Sequence, residues 1–199
     1  MNTFQDIKIH PYIEVNPPND FGGAWIKGTS IRVGEVAAAF FRHRERVEKV
    51  VAQWPELSPA QVFAAIAYYF AYKAEIDQFL IDSKSIVKDE NATAYPKNTT
   101  PLKKQQNHPL ITSDPGYCGG SPRIVGTRTP VRSIVTYFYE LHYGIKGIVN
   151  NLPYLKPTEV CAALAYYYDF KDQVDLDIYH NSEEYLMKIY PPGKYELCK

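Results

Sequence analysis

Three cysteines stand in 199 residues: Cys118, Cys161 and Cys198. The odd count, the wide spacing and the lack of any Cys-x-x-Cys exclude a disulfide framework and a cysteine zinc site. Reduced thiols in a cytoplasmic protein are the expectation. No stretch approaches the roughly 20 apolar residues that a membrane helix needs. Residues 1–6 lack the basic region and apolar run of a signal peptide. Net charge is also missing, with 22 basic residues against 22 acidic ones. That balance supplies no general electrostatic drive toward nucleic-acid phosphate. There is no Gly-rich phosphate loop, no Gly-x-Ser-x-Gly elbow, no His-Glu-x-x-His, and no His/Asp/Glu set at metal-ligand spacing. The chain is therefore expected to be neither an enzyme nor a cofactor or metal protein.

What is present is an internal repeat. His10-Pro11-Tyr12-Ile13 matches His108-Pro109-Leu110-Ile111 at an offset of 98 (108 − 10), and the offset continues without a gap. Ile26-Lys27-Gly28-Thr29 meets Ile124-Val125-Gly126-Thr127, and Ala64-Ala65-Ile66-Ala67-Tyr68-Tyr69 meets Ala162-Ala163-Leu164-Ala165-Tyr166-Tyr167. Roughly a third of the aligned positions are identical. The chain divides into a first repeat (1–81), a polar linker (82–107), a second repeat (108–179) and a C-terminal tail (180–199). The first repeat carries 8 basic and 9 acidic residues, the linker 5 and 3, and residues 108–199 carry 9 and 10, so neither repeat is basic.

Each repeat opens with short β-prone runs broken by turn residues, which predicts two small strands or a β-hairpin. Helical spacing follows, with Val33, Val36, Ala37 and Phe40 matched by Val131, Ile134, Val135 and Phe138. A second helix is expected over 47–53 and 145–151, ended by Pro55 and Pro153. A third starts at Ser58-Pro59 with Gln61 in a capping box and is expected to run to about Leu80, or Ile178 in the second repeat. The fold class expected is mainly α: two tandem homeodomain-like, three-helix, helix-turn-helix units, each preceded by a small β element.

Candidate contacts follow from that fold. Arg123, Arg128 and Arg132 gather on the second hairpin and the helix after it, where they bind phosphate, bind an acidic partner, or tie the hairpin to the helical body. In a DNA-reading version, Ala60, Gln61, Phe63 and Ala64 face outward from the third helix, with Lys156, Thr158, Glu159 and Cys161 in the second repeat. Of these, Gln61 and Lys156 suit base reading. Arg42, Arg44, Arg46 and Lys49 form a basic run interrupted by Glu45 and Glu48, a solvated surface or a phosphate contact. Tyr68, Tyr72, Tyr166, Tyr168 and Phe170 belong to an aromatic excess beyond one small core, suited to an interface between the repeats or with a partner. His10 and His108 read as structural. The tail is amphipathic, an arm for a partner or a flap on its own domain.

The run Cys118-Gly119-Gly120-Ser121-Pro122-Arg123-Ile124-Val125-Gly126-Thr127-Arg128-Thr129-Pro130-Val131 closely resembles the domain of unknown function family 433, described also as a Vap-type antitoxin domain. The first repeat departs from that pattern at Gly23-Ala24, Trp25 and Ser30-Ile31-Arg32 and looks like a diverged copy. The resemblance implies a homeodomain-like helical fold, pairing with a PIN-type nuclease toxin, and operator DNA binding. It also implies a tandem that imitates a homodimer within one chain, with further oligomers left open. Two functions are open: an antitoxin-like module that binds a toxin, and a stand-alone transcriptional regulator with two helix-turn-helix units.

Overall fold

A computed structural model describes residues 11–15, 22–86 and 107–190. Each repeat begins with a two-stranded antiparallel hairpin. In the first, β1 (Ile13–Glu14) pairs with β2 (Trp25–Ile26); in the second, β3 (Ile111–Thr112) pairs with β4 (Arg123–Ile124). The registers Ile13↔Ile26 and Ile111↔Ile124 are related by the same offset of 98. The turn after each second strand is built by Gly-Thr. Gly28 and Gly126 take φ of 76° and 74°, open to glycine without penalty. The Thr29 and Thr127 hydroxyls donate back to the Ile26 and Ile124 carbonyls at 2.8 and 3.0 Å.

The first unit continues with α1 (Val33–Arg42), α2 (Val47–Gln53), α3 (Pro59–Ala71) and α4 (Lys73–Ile86). The second has α5 (Val131–Val135), a π-helical turn (Thr136–Glu140), α6 (Gly144–Asn151), α7 (Pro157–Asp169), α8 (Lys171–His180) and α9 (Glu183–Ile189). The two apolar stripes, Val33/Val36/Ala37/Phe40 and Val131/Ile134/Val135/Phe138, are buried. The capping box at α3 forms as expected: the Ser58 N–H donates to Gln61 Oε1 at 2.8 Å and the Gln61 N–H to Ser58 Oγ at 3.2 Å. The second unit keeps half of it, the Lys156 N–H donating to Glu159 Oε2 at 2.7 Å, because lysine has no acceptor to complete the pair.

One expectation about the helices fails. The third helix does not run to Leu80 or Ile178. It breaks at Tyr72 (φ −126°, ψ 39°) and at Phe170 (φ −124°, ψ 39°). Tyr72 packs its ring on Tyr68 (4.5 Å) and Phe170 on Tyr166 (4.6 Å). The bend lets α4 and α8 return toward α1 and α5 and buries Ile76 and Val174 completely. A straight helix would have carried those residues into water. Each unit thus has a fourth helix, and α4 extends to Ile86, past the expected edge of the linker.

The units do not keep separate cores. One apolar cluster runs through both, and α3 lies along α7. Ala64 and Ala67 on one helix and Ala162 and Ala165 on the other line the gap between them. Such small side chains let two helix axes approach closely, the general basis of tight helix pairing. No helix among the described residues is long and apolar enough to cross a membrane.

Candidate functional site

The close approach of α3 and α7 decides the fate of the outward-facing set. Ala60, Gln61, Phe63 and Ala64 are all buried, as is Cys161 in the second unit. Gln61, expected at a DNA or partner contact, is 6% exposed, and its side chain holds the Ser58 N–H. The reason is that α3 is apolar on every side, and such a helix is covered on every side. Lys156 stays exposed and Thr158 half-buried at the start of α7. Burial pushes the Cys161 thiol well up from its ordinary value, which removes its nucleophilic form.

Three contacts join the units, and each uses a residue that the other unit lacks. Phe63 of α3 stacks on Tyr168 (5.9 Å, 19° between planes) and meets Phe138 edge-on (5.6 Å); the residue aligned with Phe63 is Cys161. The Tyr12 hydroxyl donates to both oxygens of Asp169, at 2.8 and 2.9 Å, and His108 Nε2 lies 2.9 Å from the same carboxylate. All three residues are buried. At the matching positions stand Leu110 and Ala71, so the bond has no mirror image. Glu45 Oε2 accepts the Ile145 N–H at 2.7 Å and so caps α6 from the opposite unit. Gly144 beside it has φ 64°, and a Cβ there would meet Glu45 Oε2 at 2.8 Å. The left-handed turn at Gly144 and the close approach of Glu45 both call for glycine at this position. The expected structural role of His108 agrees with its place here; His10 lies outside the described residues.

The five aromatics placed at an interface divide. Tyr168 makes a ring contact across the units. Tyr68 and Tyr72 are fully buried and pack on each other, and Tyr166 and Phe170 form the wall around His108, at 5.2 and 5.9 Å. Tyr168 also shares a 2.7 Å hydroxyl contact with Tyr139, whose own hydroxyl burial holds protonated far above its ordinary value.

The three arginines of the second unit do not act as one patch. Arg132 is half-buried and turned to α8, with Nη1 2.7 Å from the Ser121 hydroxyl and 3.1 Å from Asp177 Oδ2. It ties the hairpin to the helical body. Arg123 lies over the Tyr117 ring at 4.4 Å and donates from Nη1 to the Thr127 carbonyl at 3.0 Å. Among the described residues Arg128 makes no such tie: it is exposed, its guanidinium 5.8 Å from the centre of the Tyr117 ring. Beside it, Tyr154 is 60% exposed and anchored by a 2.9 Å bond between its hydroxyl and that of Thr129.

Arg42, Arg44, Arg46 and Lys49 are all exposed on α1, α2 and the turn between them. Arg44 and Glu45 both hold positive φ, 55° and 61°, and His142 faces them with 54°. They edge an open groove of about 490 Å³ floored by Phe138, Tyr139 and Tyr143. A second groove, about 380 Å³, runs along the π-helical turn between Arg132, Thr136, Tyr137 and Asn181. Among the described residues no group of three or more His, Cys, Asp or Glu is placed to hold a metal ion. In the tail, α9 leaves Leu186, Met187, Ile189 and Tyr190 exposed, and residues 191–199 lie outside the described residues.

Sequence reasoning missed Tyr12, Glu45, Tyr117, Tyr154 and Asp169. The offset alignment carried a signal for the last, an aspartate in an otherwise apolar run where the first repeat has Ala71. No curated protein and no solved structure matches the chain. A family model described as protein of unknown function (DUF433) matches twice, over residues 13–69 and 111–167. The two matches take in each hairpin and the helices up to most of α3 and of α7, more than half of the chain, so the chain belongs to the DUF433 family as a tandem duplication.

Proposed function

We propose that this chain is a non-catalytic, antitoxin-like binding module that takes a nuclease-type toxin as its partner. The observation that carries the reading is the burial of the α3 and α7 faces against each other. A helix-turn-helix unit reads bases with the first turns of its second helix in the major groove. Here that surface is largely spent on joining the units, while exposed arginine and tyrosine remain on the second hairpin. Those residue types are enriched where proteins meet proteins. The test is purification of the tagged chain from its native host at native expression, mass spectrometry of what co-elutes, and a ribonuclease assay of the eluate. A stoichiometric small nuclease, silent in the complex and active once released, is the expected result. Recovery of the chain alone at low salt overturns the reading.

A second reading, binding of the chain's own operator DNA, draws on the exposed run Arg42, Arg44, Arg46 and Lys49. Of the two acids inside that run, Glu45 is turned away to the α6 N-terminus and Glu48 stays exposed among the cations. Phosphate contact through these four cations predicts binding that weakens steeply with salt, with preference for the operator supplied by base contacts elsewhere, for which Lys156 stays exposed. A flat salt dependence rejects it.

A further inference from the structure

We infer that the turn face of the second hairpin, formed by Tyr117, Val125, Arg128 and Tyr154, is a docking surface for an acidic segment of a partner protein. The inference rests on the protein-binding reading above and adds where the partner sits and what chemistry it brings.

The two units serve as each other's control. Both hairpins have the same register and the same Gly-Thr turn. At the aligned positions the first unit has Asn19, Lys27, Ser30 and Glu56. Lys27, Ser30 and Glu56 are exposed and polar, an ordinary solvated turn. The second unit presents Val125 at 46% exposure and Tyr154 at 60%, flanking the exposed Arg128. The guanidinium groups of Arg123 and Arg128 both lie over the Tyr117 ring, and Thr129, next to Arg128, holds the Tyr154 hydroxyl. The fold does not need this dress, because the first hairpin forms without it.

The charge of the surface points to its occupant. Among the described residues neither Arg123 nor Arg128 has a carboxylate within ion-pair distance, whereas Arg132 is paired with Asp177. Arg123 Nε is buried and makes no hydrogen bond. Lys156 is exposed two residues beyond Tyr154, and Glu159 is folded back on the Lys156 N–H. A rigid tyrosine pinned by one hydrogen bond loses little entropy on contact. A planar guanidinium supported on a ring is ready to receive a carboxylate in two-pronged fashion. An acidic segment with one apolar side chain, to meet the exposed Val125 or Tyr154, answers both demands.

The test uses the full 15N-labelled chain titrated with an end-capped hexaglutamate peptide carrying one central leucine. The expected result is saturable amide shifts at Val125–Thr129 and Tyr154. Arg128→Glu should weaken binding about tenfold or more, a single charge-assisted contact being worth at least that factor. Ser30→Glu, the same change on the first hairpin, should leave affinity unchanged. Absence of saturable shifts, largest shifts at Lys27–Ser30 or along Arg42–Lys49, or an Arg128→Glu chain that binds as well as the parent each overturns the proposal. So does tighter binding of a ten-residue oligothymidylate at the same amides, which would make the surface one for nucleic acid. Binding at the hairpin by a chain that recovers no nuclease from its host would retain the surface and reject the toxin.

Discussion

The first and second units share a backbone plan and fasten it differently. In the second, the hairpin is secured to α8 by a polar cluster, Arg132 with Ser121 and Asp177. At those three positions the first unit has Gly34, Gly23 and Phe79. Its substitute comes from a different place in the chain. The Arg32 guanidinium, aligned with Pro130, lies 4.0 Å from the Trp25 ring centre and 4.7 Å from that of Phe79. A directional ion pair has been exchanged for a cation held between rings, and the fold has survived. The lesson is that the hairpin–helix junction requires adhesion and tolerates its chemistry, so the residues that differ between units without serving adhesion are the ones to search for function.

The comparison can be broken hardest where the units meet. Phe63→Ala should cost about 3–5 kcal/mol, the usual range for a buried phenylalanine, because it empties the contact with Phe138 and Tyr168. Cys161→Ala, the aligned change, should cost far less. Urea unfolding of both variants measures the difference, and equal losses would mean that the two faces are interchangeable. Asp169→Ala comes next. It removes the buried carboxylate that the Tyr12 hydroxyl and His108 Nε2 share, worth about 1–3 kcal/mol for a buried hydrogen bond lost. Tyr12→Phe should recover part of that loss in a double-mutant cycle; strict additivity would dissolve the proposed link.

Smaller effects sharpen the picture. Gly144→Ala should cost about 1–2 kcal/mol from the left-handed backbone, with the Glu45 contact adding to it, whereas Arg46→Ala at the aligned position should be near neutral. Melting temperatures suffice to see this. The smallest effect is one the units have in common. Lys73 pairs with Asp77 and Lys171 with Asp175, and in each case the hydrogen bond to the aspartate raises the lysine pKa above its ordinary value. A raised folded-state value means that the contribution is complete below the unfolded lysine value of about 10.4 and fades as pH climbs through the folded one. Both pairs are exposed, so Lys73→Met and Lys171→Met should each lower the melting temperature slightly at pH 8, and the difference from the parent should shrink as pH climbs above about 10.4.

Much of the architecture was legible in the residues. The small β element at the head of each unit, the capping box at Ser58 and the two core stripes followed from turn chemistry and period alone. The ends of α3 and α7 were not legible, because nothing at Tyr72 or Phe170 breaks a helix locally; the bend is set by what Tyr72, Ile76 and Val174 reach after it. The outward assignment of Ala60, Gln61, Phe63 and Ala64 failed for a related reason. It assumed a helix with one wet face, whereas the run from Val62 to Tyr68 is apolar throughout and needs neighbours on both sides. The arginines were found by type but not by duty. Whether a guanidinium ties, stacks or waits depends on which acid or ring the fold brings to it, Asp177 from 45 residues away in one case and Tyr117 from the same hairpin in another.

The packing of α3 on α7 has a consequence for gene dosage. When two separate chains must pair to complete a core, folding obeys mass action and dilution weakens it. A covalent tandem replaces that dependence by an effective concentration fixed by the connecting segment. The Tyr12–Asp169 bond, which has no counterpart in the opposite sense, further discourages pairing with a neighbour in the wrong order. A chain built in this way is expected to fold as completely at a few copies per cell as at thousands.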